Sequence, residues 1–222
     1  MLDKRLNLCA EFVKGDRICD IGTDHAYLVA ELLSQGKCST AVAADINEGP
    51  LAAARTTLEK AGVLDKADVI LSDGLKSVPE SGITDIVIAG MGGELISRIL
   101  EACDWLEGKN LILQPMTQAP YLVKWLYSNG FEIAKQRAVI DGRFCYTVIN
   151  AVKTNAAPTS VTPLFEQVGK LDFADEAAAR YAEKQAERLY ASGRSLRDAG
   201  RSAEAVKNIG LAAEIILSSG GK

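Results

Sequence analysis

CDIGTDHAYLVAELLSQGKCSTAVAADIN (19–47) joins two apolar runs through an acidic loop and a helical stretch. RICDIG (17–22) has the apolar character of a buried strand, and residues 25–35 follow with helical spacing, closed by Gly36. TAVAAD (40–45) is a second apolar run that ends in an acidic residue. Between the first strand and its helix stand Asp24 and His25, the single histidine of the chain, where many nucleotide-binding loops carry glycine. Three readings are open: an altered dinucleotide fingerprint, a metal or acid–base site, or a complete motif of another kind.

Outward from this stretch, strands and helices alternate. Apolar positions Leu6, Cys9, Ala10 and Val13 predict a short helix over 4–14. PLAAARTTLEKAG (50–62) predicts a helix with proline at its start and glycine at its end. ADVILSD (67–73), DIVIAG (85–90) and NLILQP (110–115) are further short strands, with helices near 93–103 and 118–129 between and after them. Such alternation predicts a parallel sheet with right-handed crossovers. It stops at 131–152, where two β-rich runs meet around Asp141-Gly142, a hairpin signal. The expected fold is therefore α/β, a Rossmann-like sheet of seven strands ending in an antiparallel hairpin.

KTNAAPTSVTP (153–163) is polar, carries two prolines and reads as a linker. Beyond it, 174–198 and 202–218 predict an antiparallel α-helical hairpin with its turn at Ala199-Gly200. The expected division is thus 1–152 and 153–222. No internal repeat is visible.

Composition narrows the function classes. A chain of 222 residues with 48% hydrophobic and 24% charged residues can build a sizeable core. No apolar run approaches the roughly 18–20 residues needed to span a bilayer, and the first 16 residues interleave charged with apolar positions, unlike a signal peptide. Five cysteines form no CxxC pair and no zinc spacing, so reduced thiols and a cytoplasmic location are expected. Residues 1–152 carry 15 Lys and Arg against 20 Asp and Glu, a net of −5; residues 153–222 carry 10 against 9, a net of +1. A polyanionic partner would have to be held by local basic patches.

In such a sheet the carboxyl ends of the strands form the ligand site. Gly22 lets the chain turn tightly there. The next two fingerprint positions are Asp24 and Ala26. A carboxylate in mid-loop repels pyrophosphate and attracts an ammonium or sulfonium group, which disfavours NAD and favours a cationic cofactor. Asp45 follows Gly22 at the spacing of a ribose-binding acid. Asp73-Gly74 closes the third strand, suited to an adenine amine, and Gly90-Met91-Gly92-Gly93 closes the fourth, where backbone can approach a reacting centre. This is the order of elements in class I S-adenosylmethionine-dependent methyltransferases. A metal site is not expected, since no second histidine and no cysteine pair stand near His25.

DIGTDHAYL (20–28), DGL (73–75), IAGMGGELI (88–96), LILQP (111–115) and the opening LDKRL (2–6) resemble the bacterial tRNA (adenine-22-N1)-methyltransferase family. Val29 and Met116 depart from the proline and asparagine usual there, and the C-terminal part is short and divergent. The resemblance implies methyl transfer from S-adenosyl-L-methionine to N1 of an adenine in tRNA. It implies a cofactor site of Asp20, Gly22, Asp24, His25, Ala26, Asp45, Ile46, Asp73, Gly74, Gly90, Met91 and Gly92. Asp24, Tyr27, Met91, Gln114 and Pro115 would face the reacting centre. A methyltransferase for another RNA or a small molecule, and a noncatalytic binding protein, are the rival readings.

Several residues keep a plainer alternative. Asp24 could cap the following helix. Tyr27 is either core packing or an aromatic platform for the target base. Arg5 is a surface charge or a group at the pocket mouth touching cofactor carboxylate or RNA phosphate. Arg180, Lys184 and Arg188 share one helical face, either a solvated stripe or a phosphate contact.

Overall fold

The computed structural model describes residues 2–154 and 157–220. Its centre is one seven-stranded sheet of β1 (Arg17–Ile21), β2 (Thr40–Asp45), β3 (Ala67–Leu71), β4 (Asp85–Gly92), β5 (Asn110–Thr117), β6 (Phe131–Asp141) and β7 (Phe144–Lys153). Their spatial order is β3-β2-β1-β4-β5-β7-β6. The first five pair in parallel, while β7 runs antiparallel to β5 and to β6. The chain order reverses between β1 and β4, and at that switch point the strand ends leave a crevice.

The strands read as near-continuous apolar runs because both faces are covered. Period-2 alternation sorts their side chains into two cores. Cys19, Ile21, Ile86, Ile88, Leu111 and Leu113 enter one, with Ile96 and Leu100 of α4 (Gly93–Glu101) and Leu122 and Leu126 of α5 (Ala119–Ser128). Ile18, Ala41, Ala43, Val87 and Ile112 enter the other. There they meet α1 (Lys4–Phe12), α2 (Tyr27–Ser34) and α3 (Glu48–Lys60). Leu32 and Leu58 are wholly buried in this second core, each worth roughly 1.5–3 kcal/mol of transfer free energy.

Helix α2 begins two residues later than the sequence spacing predicts. The delay has a backbone cause: Asp24 and Ala26 both have positive φ (50° and 54°), which holds the chain out of helix until Tyr27. At the hairpin, Gly142 takes φ 58°, and with Arg143 it makes the two-residue connection from β6 to β7.

The segment expected to be only a linker contains a short helix, α6 (Pro163–Val168), started by Thr162, whose hydroxyl accepts from Phe165 N–H at 3.2 Å. Two residues of the expected linker, 155 and 156, lie outside the described residues. Helices α7 (Glu176–Asp198) and α8 (Ser202–Ser218) form the expected hairpin. They cross closely at Gly193, where a methyl group would press on Ile209 and the Ala205 carbonyl. Ala182, Ala186, Ala212 and Ile215 make their shared core with Val168 of α6. Ala178 and Tyr181 of α7 pack on Ala138 of β6 and Ala119 of α5, which fixes the hairpin beside β6 and β7. No helix among the described residues is long and apolar enough to cross a membrane.

Candidate active site

The β1–α2 loop is clipped to the neighbouring strand. Gly22 and Thr23 N–H both donate to the Ala44 carbonyl, at 2.8 and 3.0 Å. Gly22 has φ 72°, and a Cβ there would collide with the Met91 methyl, so glycine is required twice over. Asp20 is buried beneath the loop and accepts from the Thr23 hydroxyl at 2.8 Å. Burial pushes its carboxyl up to about 6; the Thr23 hydrogen bond opposes this, and the charge of Asp45 adds to it.

Asp45 is buried at the end of β2. Its Oδ1 accepts from Asn47 N–H at 3.0 Å and its Oδ2 from Asp24 N–H at 3.4 Å. The two strand-end acids are thereby joined through the loop backbone. The Asp45 carbonyl in turn accepts from Ser72 N–H at 2.9 Å, which brings the Asp73-Gly74 corner alongside. Asp73 is exposed and paired with Lys76 at 2.6 Å. Ile46 is 60% exposed, an apolar face beside the Asp45 carboxylate.

On the far side of the switch point, the ladder between β4 and β5 slips at Gly90. Gly90 has φ 79°, and its N–H donates to Gln114 Oε1 at 3.1 Å. Gln114 is fully buried, and Arg5 Nη1 donates to the same oxygen at 2.6 Å. Its Nε2 donates to the Pro115 carbonyl at 3.1 Å. Gln114, expected to face the reacting centre, instead ties β5 to Gly90 and to α1, because its amide is consumed inside the protein. Arg5 is also held by Asp3 at 2.7 Å, and its guanidinium stands 5.8 Å from the centre of the Tyr146 ring.

A cleft of about 220 Å3 is lined by Arg5, Asp20, Gly22, Asp24, His25, Tyr27 and Gly90, whereas Asp45, Ile46, Asp73, Gly74, Met91 and Gly92 stand outside its lining. Asp24 makes no helix cap: the Ncap position of α2 is Ala26, which has no side-chain cap bond. The alternative of capping therefore falls away. So does core packing for Tyr27, which is 54% exposed and stacked on His25 with ring centres 5.3 Å apart. Ala26 is buried and stands behind the cleft wall. Among the described residues, Asp24, Ala26 and Gln118 are the non-glycine positions with positive φ, and all three flank strand ends of this site. No three His, Cys, Asp or Glu side chains among the described residues gather where they could hold a metal ion. All five cysteines are unpaired, and burial raises the Cys38 and Cys145 thiols to about 11, so these remain unreactive near neutral pH.

Arg180, Lys184 and Arg188 do not touch this cleft. They border two further hollows between α7 and the β6–β7 turn, of about 510 and 430 Å3. Arg180 is paired with Glu183 at 2.8 Å and Lys184 with Glu187 at 2.7 Å, while Arg188 makes no ion pair among the described residues. Sequence reasoning missed Arg143, Phe144 and Tyr146, which share these hollows; they read there only as turn and strand residues. Met116, which is exposed, and Pro115 lie at the inner edge of the second hollow.

The methyltransferase-domain family profile matches residues 2–149. The tRNA (adenine(22)-N(1))-methyltransferase of Bacillus subtilis is 39% identical over 153 residues, 68% of this chain and 64% of that relative's length. The chain thus matches somewhat less than two thirds of this curated relative. The crystal structure of the B. subtilis m1A22 tRNA methyltransferase TrmK superposes with a TM-score of 0.85 at 26% identity, covering 97% of this chain and 99% of that one. M. capricolum TrmK, solved with S-adenosyl-homocysteine, superposes with a TM-score of 0.81 at 26% identity, over 97% of this chain and 98% of the other.

Proposed function

Because this chain belongs to the bacterial tRNA (adenine-22-N1)-methyltransferase family, we propose that it transfers a methyl group from S-adenosyl-L-methionine to N1 of an adenine in tRNA, at position 22 by kinship. The observation that carries this reading is the chemistry of the switch-point cleft. It offers carboxylates and close glycine backbone, and its one arginine is engaged by Asp3. Such a donor set rejects a pyrophosphate and accepts an ammonium group. Asp45, hydrogen-bonded to the Asp24 N–H beside the cleft, is the acid for the ribose hydroxyls.

Within it, Asp24 is the partner for the methionine ammonium. Asp45 keeps a lone-pair direction free on each oxygen for the ribose hydroxyls. Ile46 supplies an apolar face for the adenine of the cofactor, and Asp73 accepts from its exocyclic amine in exchange for its pairing with Lys76. When bound, S-adenosyl-L-methionine supplies an electrophilic methyl group on a sulfonium.

N1 of neutral adenine carries a lone pair, so no side chain need remove a proton to create the nucleophile. The protein's work is to hold N1 in line and to exclude water. The His25–Tyr27 stack provides the platform for the target base, and the backbone at Gly90, Met91 and Gly92 forms the opposing wall. Positive charge moving onto the adenine ring is met by the negative surroundings of Asp20, Asp24 and Asp45. Since N1 lies on the Watson–Crick edge, the base must be unpaired or flipped to enter. On this reading the protein works in the cytoplasm beside its tRNA substrate.

The test is label transfer from S-adenosyl-L-methionine to an unmodified tRNA transcript carrying adenine at position 22 and to the same transcript carrying guanine there. Incorporation into the first alone supports the reading. Equal incorporation into both, or none into either, contradicts it.

A further inference from the structure

A line of two aromatic rings between two cations leaves the cleft mouth. Arg5 stands 5.8 Å from the Tyr146 ring, Tyr146 lies 5.9 Å from Phe144 at an interplanar angle of 32°, and the Arg143 guanidinium is 4.9 Å from the Phe144 ring centre. Phe144 is 51% exposed at the tip of the β6–β7 hairpin, where burial gives no reason for a large apolar ring. The hollows of 430 and 510 Å3 both border Arg143, Phe144, Cys145 and Lys184, so they form one groove between the hairpin tip and α7. Its inner end reaches Pro115 and Met116, directly after the Gln114 that holds Gly90.

Charge in the groove is not fully internal. Arg180 and Lys184 are paired with their own helix's glutamates, but Arg143 and Arg188 make no ion pair among the described residues. An exposed aromatic flanked by two unpaired arginines, a short way from a base-sized cleft, matches the chemistry of a single-stranded nucleotide: a π-face for the base and two cations for its phosphates. A protein partner would find no continuous apolar surface in the larger hollow, where Arg143, Glu176, Arg180, Glu183 and Lys184 interrupt it.

Resting on the proposed function, we infer that this groove holds a nucleotide adjacent to the target adenine in the same RNA strand. Its base stacks on Phe144, and its flanking phosphates lie against Arg143 and Arg188. The hairpin tip thereby fixes the strand while the target base turns into the cleft. Stacking on Phe144 reads no particular sequence, so this site supplies affinity and geometry, while selectivity among adenines falls to the shape of the RNA.

The experiment uses the full chain and an unmodified tRNA transcript, with binding measured separately from turnover. Phe144→Ala is expected to weaken RNA binding roughly tenfold, within the range of base–aromatic stacking. Melting temperature, S-adenosyl-L-methionine affinity and the salt slope of RNA binding should stay unchanged, and Phe144→Trp should restore binding. Arg143→Gln and Arg188→Gln should each reduce the slope of log affinity against log salt by about 0.7–0.9. Transcripts with an abasic nucleotide immediately 5′ or 3′ of the target adenine separate a base contact from a general loss. One of the two should weaken wild-type binding as Phe144→Ala does and weaken the variant no further. Unchanged binding by Phe144→Ala, or equal abasic losses in wild type and variant for both transcripts, would overturn the inference. Absence of methyl transfer by the wild-type protein would instead count against the proposed function, because the binding comparisons do not depend on turnover.

Discussion

Replacing Asp45 with alanine removes the acid at the end of β2 and tests the cofactor assignment most sharply. Asp45 is buried, and each of its oxygens already accepts one backbone N–H, from Asn47 at 3.0 Å and Asp24 at 3.4 Å. One further acceptor direction per oxygen remains for the ribose. A hydrogen bond to a charged group is worth about 1.5–3 kcal/mol, so losing even one raises the dissociation constant of S-adenosyl-L-methionine about 10- to 150-fold. The fold should survive, because both orphaned N–H groups sit in part-exposed loops that water can reach. A stability loss of about 1 kcal/mol is expected from them. Calorimetric titration of the folded variant is the assay, with chemical denaturation as its control. A folded Asp45→Ala protein that binds the cofactor with wild-type affinity would refute the ribose assignment.

Asp24→Asn should weaken cofactor binding at an unchanged melting temperature, because the side chain caps no helix; a fall in melting temperature with affinity intact would reverse that argument. Asp20 gives a pH dependence of definite sign. Its folded carboxyl, raised to about 6 chiefly by burial, keeps a proton that the unfolded chain releases nearer pH 4, so this group makes the protein less stable as pH rises through that window. Urea midpoints at pH 4.5 and 7.5 should show Asp20→Asn gaining on wild type by on the order of 2 kcal/mol at the higher pH, and a constant difference would remove the claim. Gly169 has φ 61°, and a Cβ there would strike the Gln136 side chain that accepts from Lys170 N–H. Gly169→Ala should therefore cost about 1–3 kcal/mol in denaturation while leaving cofactor affinity unchanged, and an equally stable variant would contradict the strain argument. Arg188→Ala should weaken tRNA binding more than Arg180→Ala, since Arg180 is already offset by Glu183; equal effects in a filter-binding assay would show that pairing does not matter.

The sheet was legible because its strands are bounded by strong signals. Apolar runs end in acids or glycines at 20–22, 45, 73–74 and 90–92, and glycine or proline closes the helices between. The chemistry of the first loop was legible for the same reason, since a carboxylate at position 24 is incompatible with a phosphate cradle. The loop's shape was not. Nothing in alanine favours positive φ, so the conformation of Ala26 and the late start of α2 come from tertiary constraint. Gln114 escaped for a different reason: a strand-end amide reads equally as a substrate contact or an internal strut, and only the bonds from Arg5 and Gly90 decide between them. Helix α6 is six residues long, too short for periodicity, and Thr162-Pro163 is its one start signal. Phe144 looked like any aromatic in a strand, because exposure at a hairpin tip depends on register with β6 and on the position of α7.

The central claim is that an unprotonated ring nitrogen is methylated in a cleft that provides position and negative charge without a general base. Nucleoside analysis of tRNA methylated by the protein tests this most directly. The expected product is 1-methyladenosine, because N1 carries a lone pair and needs no deprotonation. N6-methyladenosine as the product would contradict it, since the amine must lose a proton to a base.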